Sequence, residues 1–79
     1  NPRVAISYAV DGTSAVRVAV HDLEGRLVRV LEEGVVPAGT RTVTWDGTDR
    51  QGRRLASGAY VVELVAGGKT DRRTGTMLK

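Results

Sequence analysis

The stretch Trp45 to Tyr60, WDGTDRQGRRLASGAY, packs two aspartates, three glycines and three arginines between two aromatic residues. Carboxylates that close together raise the chemistry of a cation site. Calcium takes about six to eight oxygens at short range. Asp46 and Asp49 supply two carboxylates, but DGTDRQG lacks the acidic spacing and distal glutamate of an EF-hand loop. Arg50, Arg53 and Arg54 add positive charge where a cation would sit. Aspartates next to glycines also bond to nearby backbone N–H groups in Asx-turns. The loop therefore reads as a turn whose backbone Asp46 and Asp49 tie down, with Trp45 and Tyr60 anchoring its ends. No calcium requirement is expected.

Other reactive side chains are scattered. His21 is the single histidine, so no His-based zinc site can be assembled, and there is no cysteine to supply a thiolate. Ser7, Ser14 and Ser57 fall in strand or turn positions without a nucleophile elbow around them. Glu32 and Glu33 are adjacent, so in a strand they point to opposite faces. No glycine-rich phosphate loop opens a helix. The expectation is a protein without catalytic, cofactor-binding or metal-binding residues and without a small-molecule substrate.

The elements that hold these residues are strands. Val4, Ile6, Tyr8 and Val10 alternate with Ala5, Ser7 and Ala9. Val16, Val18 and Val20 alternate with Arg17, Ala19 and His21, which turns His21 away from the core. Val43 and Trp45 alternate with Thr42 and Thr44, and Tyr60, Val62 and Leu64 with Val61, Glu63 and Val65. Period-two alternation buries one face of a sheet, and branched valine suits a pleated surface. Turns fall at Asp11-Gly12, Glu24-Gly25, Pro37-Ala38-Gly39, Asp46-Gly47, Gln51-Gly52, Ser57-Gly58 and Gly67-Gly68. This spacing predicts strands near 3–10, 15–22, 26–31, 40–46, 53–56, 59–66 and 70–78. Seven such strands indicate an all-β, seven-stranded sandwich of immunoglobulin or fibronectin type III character, a single module over residues 1–79. The segments LEGRLV and RQGRRL share a Gly-Arg step, read as two turns with one chemistry.

With 79 residues the chain has room for one domain and a thin core. No apolar run approaches the roughly 20 residues that span a membrane, and the first residues carry no signal-peptide pattern. The formal net charge is +3, and the last eleven residues hold all of it: Lys69, Arg72, Arg73 and Lys79 against Asp71. That end reads as a charged edge strand. Nucleic acid is not an expected partner, because Tyr8, Trp45 and Tyr60 all lie in the apolar phase of a strand and stacking needs exposed rings. The same phase argues against a carbohydrate-binding face.

Trp45-Asp46-Gly47, Asp49, Gly52 and Ser57-Gly58-Ala59-Tyr60 together resemble the immunoglobulin-like domain of the flagellar hook-capping protein FlgD, a pattern shared with C-terminal modules of secreted bacterial proteins. Upstream, VRVAVHDLEGRLVRVLEEGVVPAGTRTVTWDG is similar to that family's strand, Asp-Leu-x-Gly-Arg turn, strand, Pro-x-Gly turn and strand. The opening NPRVAISYAV and the basic last segment resemble type IX secretion sorting domains. Gly58 and Tyr60 fall on that family's Gly-x-Tyr element and Lys79 on its terminal lysine. The ending TGTMLK has one lysine where sorting domains often carry a second, with Arg72 and Arg73 as stand-ins.

The resemblance implies a non-catalytic role. Its leading form is a C-terminal sorting module, read by an outer-membrane translocon and carrying an upstream cargo domain of the same chain through the periplasm to the cell surface or medium. Gly58, Tyr60, Lys69, Arg72, Arg73 and Lys79 are then the recognition residues, and Trp45, Asp46 and Asp49 the structural ones. The alternative is a structural FlgD-like module, in a flagellar hook cap or as a spacer in an extracellular enzyme.

Overall fold

The valine-rich alternation becomes six strands in the computed structural model, which describes residues 3–55 and 58–77. They are β1 (Val4–Val10), β2 (Ser14–His21), β3 (Leu27–Val36), β4 (Gly39–Trp45), β5 (Gly58–Ala66) and β6 (Lys69–Met77). β1 and β4 form one antiparallel sheet. The other has four strands in the order β3-β2-β5-β6, also antiparallel throughout. The two sheets enclose a core of Ile6, Tyr8, Val10, Val16, Val18, Val20, Val36, Trp45, Tyr60, Val62 and Leu64. These are the residues in the apolar phase of each strand. Burying a valine or leucine side chain is worth about 1.5–3 kcal/mol.

The observed strand count differs from the seven expected. Residues 53–55 form no strand, and residues 56 and 57 lie outside the described residues. Arg54 makes a single bridge with Thr48. The segment's backbone is committed inside its own loop instead. Arg53 O accepts from Asp49 N–H at 2.9 Å, and Leu55 N–H donates to Gly47 O at 2.9 Å. β3 departs in the other direction, running to Val36 rather than ending near residue 31. Its apolar phase breaks at Glu32, but the backbone stays paired with β2 through two register shifts. Such bulges re-aim side chains.

β5 and β6 pair from Ala66↔Lys69 to Gly58↔Met77, so only Gly67 and Gly68 turn the chain. Both have positive φ, 58° and 83°, as a tight two-residue hairpin of the primed type requires. This hairpin fixes the register of β6, whose own sequence, KTDRRTGTM, has little apolar alternation. Register in turn places Tyr60 opposite Gly75. A methyl group added at Gly75 would sit 2.6 Å from Tyr60 Oη and 2.7 Å from its Cζ. The ring fills the space a side chain would need.

Gly75→Ala should therefore destabilise the fold by about 1–3 kcal/mol, the cost of overpacking against the Tyr60 ring. Urea unfolding measures it. The loss should shrink when Tyr60 is also cut to leucine, because the two changes share one space. Equal losses from Gly75→Ala in both backgrounds would show that the ring is not the obstacle.

Candidate functional site

The loop after β4 begins at Trp45, which is 1% exposed. Its indole Nε1–H donates to Thr48 O at 2.9 Å. Asp46 Oδ1 accepts from the Thr48 backbone N–H at 3.1 Å and from the Thr48 hydroxyl at 2.6 Å. Arg29, on β3, reaches over with Nη1 to Asp46 Oδ1 at 3.3 Å and to the Thr48 hydroxyl. The loop is thus fastened to the opposite sheet. Bonds from the Thr48 hydroxyl and N–H, with the Arg29 charge behind them, hold the Asp46 carboxyl below the ordinary carboxylate range.

Asp49 organises the second half. Its Oδ1 accepts from the N–H groups of Gln51 at 2.9 Å and Arg53 at 3.0 Å, and its Oδ2 from Arg53 Nε at 3.2 Å. Burial pushes this carboxyl up, but the backbone bonds and the Arg53 charge win and hold it low. The β2–β3 turn repeats the arrangement. Asp22 Oδ1 accepts from Glu24 N–H at 3.0 Å and Arg26 N–H at 2.9 Å, and Oδ2 from Arg26 Nε at 3.0 Å. Here the Arg26 N–H is the main cause of the lowered Asp22 value. Gly25 and Gly52 hold matching positions with φ of 85° and 81°. Asp-x-x-Gly-Arg is one turn used twice, which explains the Gly-Arg step shared by LEGRLV and RQGRRL.

A second polar cluster joins the sheets. Glu32 accepts from Arg41 Nη2 at 2.7 Å and Nε at 3.2 Å, and from the Tyr8 hydroxyl. Tyr8 is on β1, Arg41 on β4 and Glu32 on β3. The Arg41 bonds first, then Tyr8, hold Glu32 low, and the pairing raises Arg41. Tyr8 is raised, first by burial and then by its bond to the Glu32 carboxylate. Arg29, Glu32, Arg41 and the Tyr8 hydroxyl are structural groups that the sequence pattern does not single out. The broken alternation at Glu32 was the one available sign.

Among the described residues, the expected recognition residues do not converge. Tyr60 is 8% exposed and packs edge-on against Trp45, with ring centroids 5.0 Å apart. It belongs to the core rather than to a surface a partner could read. Gly58 is exposed at the start of β5 and Lys69 at the start of β6. Arg72 and Arg73 point to opposite faces of β6: Arg72 Nε bonds Glu63 on β5 at 3.1 Å, while Arg73 Nε meets Asp71 at 3.3 Å. Arg73 Nη1 also donates to Ser7 O on β1 at 2.6 Å. Lys79 lies outside the described residues. His21 is half-buried on the outer face, with Nε2 3.9 Å from Glu63 Oε1 and no hydrogen bond to it. Among the described residues no three His, Asp or Glu side chains lie close enough to hold a metal ion.

Two antiparallel sheets locked by a Trp-Asp-Gly loop and cross-sheet ion pairs define an all-β domain. The family model of the FlgD Ig-like domain matches residues 2–70, and the chain belongs to that family. It is 39% identical over 51 residues to the basal-body rod modification protein FlgD of Salmonella typhimurium, covering 65% of this chain and 22% of that protein. The FlgD of Escherichia coli K12 is 33% identical over 63 residues, 80% of this chain and 26% of that protein. The solved structure of FlgD from P. aeruginosa superposes with a TM-score of 0.72 at 30% identity, covering 96% of this chain and 60% of that one. The chain thus spans about a quarter of the length of these curated relatives.

The carboxylates give a pH dependence with a defined sign. Asp22, Glu32, Asp46 and Asp49 titrate lower in the folded protein than in the unfolded chain. Their stabilisation is present above the unfolded values of about 4 and is lost as pH falls through the folded ones. Tyr8 works at the other end: its raised value stabilises the fold below about pH 10, and this is lost as pH rises through the folded value. The melting temperature should be level between these limits and drop on both sides. A midpoint that stays constant from neutral pH down to about pH 2 would refute the carboxylate part.

Proposed function

We propose that this module is a non-catalytic structural part of a flagellar rod-modification protein of the FlgD kind. The observation that carries this reading is the agreement with FlgD in sequence over 80% of the chain and in fold over 96% of it. The geometry is consistent with it. The carboxylates of Asp22, Glu32, Asp46 and Asp49 all accept bonds from the protein's own groups. They serve to hold turns and sheets in place. The assembly role belongs to the longer FlgD proteins and comes to this chain as a part of such a whole.

A chimera tests this. The Ig-like segment of the Salmonella protein is replaced by residues 3–77, and swimming and hook formation are scored in a strain lacking its own FlgD. The chimera should restore motility, and the same chimera carrying Gly75→Ala should restore less. A chimera present at normal level that builds no hooks would count against the reading.

One observation favours the sorting reading as a second. β6 is an edge strand and bears Lys69, Arg72 and Arg73. An outer-membrane translocon could read the basic side chains along this edge and direct an upstream cargo domain to the cell surface or medium. A reporter fused upstream, in a type IX-competent bacterium, distinguishes the two. Reversing the charges of Arg72, Arg73 and Lys79 should abolish surface delivery if β6 is the address. Undiminished delivery, or none with the intact module, removes this reading.

A further inference from the structure

We infer that the free edge of β1 is a docking site for one extended segment of another polypeptide, apolar at alternate positions and carrying a carboxylate opposite Arg73. The four edge strands of the described residues differ sharply. β3 carries Arg29, Glu32 and Glu33 and two register shifts. β4 carries Arg41. β6 carries Lys69, Asp71, Arg72 and Arg73. Charges and bulges are the devices that keep edges from pairing. β1, VAISYAV, has no charge, proline, glycine or bulge, and pairs with β4 without interruption over its whole length. It is an edge open to strand addition.

The backbone direction points to the groups that are offered. In a strand the N–H and C=O of one residue point to the same side, and alternate residues face alternate neighbours. Ser7 O accepts from Arg73 of the other sheet, as a carbonyl left free by β4 can. The hydroxyl contact Ser7 Oγ to Thr42 Oγ1, 3.0 Å, fits a pair that exchanges no backbone bonds. Ala5, Ser7 and Ala9 therefore present their donors and acceptors to the free edge. Their exposed side chains are small and leave access to it.

Arg73 acts as a stand-in. Its Nη1 occupies the acceptor that the N–H of an added strand would use. Beside it a cleft of about 160 Å³ is lined by Ile6, Tyr60, Val62, Arg73 and Gly75, among others. Two strands face four. The Arg41–Glu32 pair sets β4 toward the β3 side, and the Arg73–Ser7 bond sets β6 beyond β1. A strand added to β1 would lie above β6, with its inward side chains over Tyr60 and Gly75. An inward carboxylate there would meet the Nη1 end of the Arg73 guanidinium once it releases Ser7 O, while Nε stays with Asp71. A second copy of this chain does not fit the slot: pairing β1 with β1 about a two-fold axis would bring the two overhanging β6 strands into the same layer.

The probe is the synthetic peptide acetyl-Thr-Val-Thr-Glu-Thr-Val-Thr-amide, titrated into the isotope-labelled chain and followed by amide NMR shifts and hydrogen exchange. The Ala5, Ser7 and Ala9 amides should shift and become protected, while the free edges of β3 and β4 should not. A peptide N-methylated on the residues that face β1 should not bind. Replacing its glutamate by lysine should weaken binding about tenfold, as loss of a charge-assisted bond predicts. Shifts confined to another edge, equal binding of the N-methylated peptide, or no shift at millimolar peptide would overturn the inference. So would self-association through β1 in sedimentation. Protection of Ala5, Ser7 and Ala9 by a segment of the protein's own chain, seen without peptide, would also overturn it.

Discussion

Trp45 stands where the two sheets and the longest loop meet, and its burial controls how each is placed. It is the last residue of β4, yet its ring packs on Tyr60 of β5 in the other sheet. Tyr60 in turn lies on the bare backbone of Gly75 in β6. The indole N–H reaches Thr48, which Asp46 and Arg29 hold against β3. One side chain thus ties β4, β5, β6 and β3 into a fixed relation. Most of the remaining core is valine, which fills a pleated surface but has little shape to choose one sheet offset over another. A large aromatic with a single polar handle supplies that choice.

The ion pairs have a similar geometric role. Tyr8, Glu32 and Arg41 come from three strands and two sheets, and they close the side of the sandwich at β3 and β4. A two-stranded sheet is marginal by itself, so β1 and β4 depend on being held against the larger sheet. Glu32 is directed inward and would be costly there without partners. With two donors in place it is satisfied, and it fixes the offset that hydrophobic contact leaves loose. Arg73 does the corresponding work on the opposite side through a backbone carbonyl.

Much of this was legible in the residues, and the parts that were not share a cause. β1, β2, β4 and β5 alternate cleanly, so their existence and inward faces follow from sequence. The second half of β3 was missed because Glu32 occupies an inward position, which makes sense only beside Tyr8 and Arg41, 24 and 9 residues away. Local pattern carries no record of such partners. The strand expected over 53–56 is absent over 53–55 for a local reason: Asp49 takes both the N–H and the C=O of Arg53, leaving neither for a ladder. The Asp-x-x-Gly-Arg turns were readable in kind, because an Asx bond spans only two to four residues. Arg29, 17 residues from Asp46, was not. Tyr60 points to the core by its alternation phase and to a recognition role by resemblance; its packing agrees with the phase.

The basic end shows how far charge counted along a sequence can mislead about charge on a surface. All of the net charge lies in the last eleven residues, which suggests a concentrated patch. Folding distributes it. Strand alternation sends Arg72 and Arg73 to opposite faces, and cross-strand and neighbouring carboxylates, Glu63 and Asp71, meet them there. Exposed pairs of this kind add little stability. They do keep β6 from presenting either an unbroken cationic stripe or an unguarded edge. β1 combines the opposite traits, with an uncharged edge whose central carbonyl is covered by one borrowed arginine. The strand with the most charge is therefore the better protected edge, and the one with none is the edge where the fold can still accept a partner.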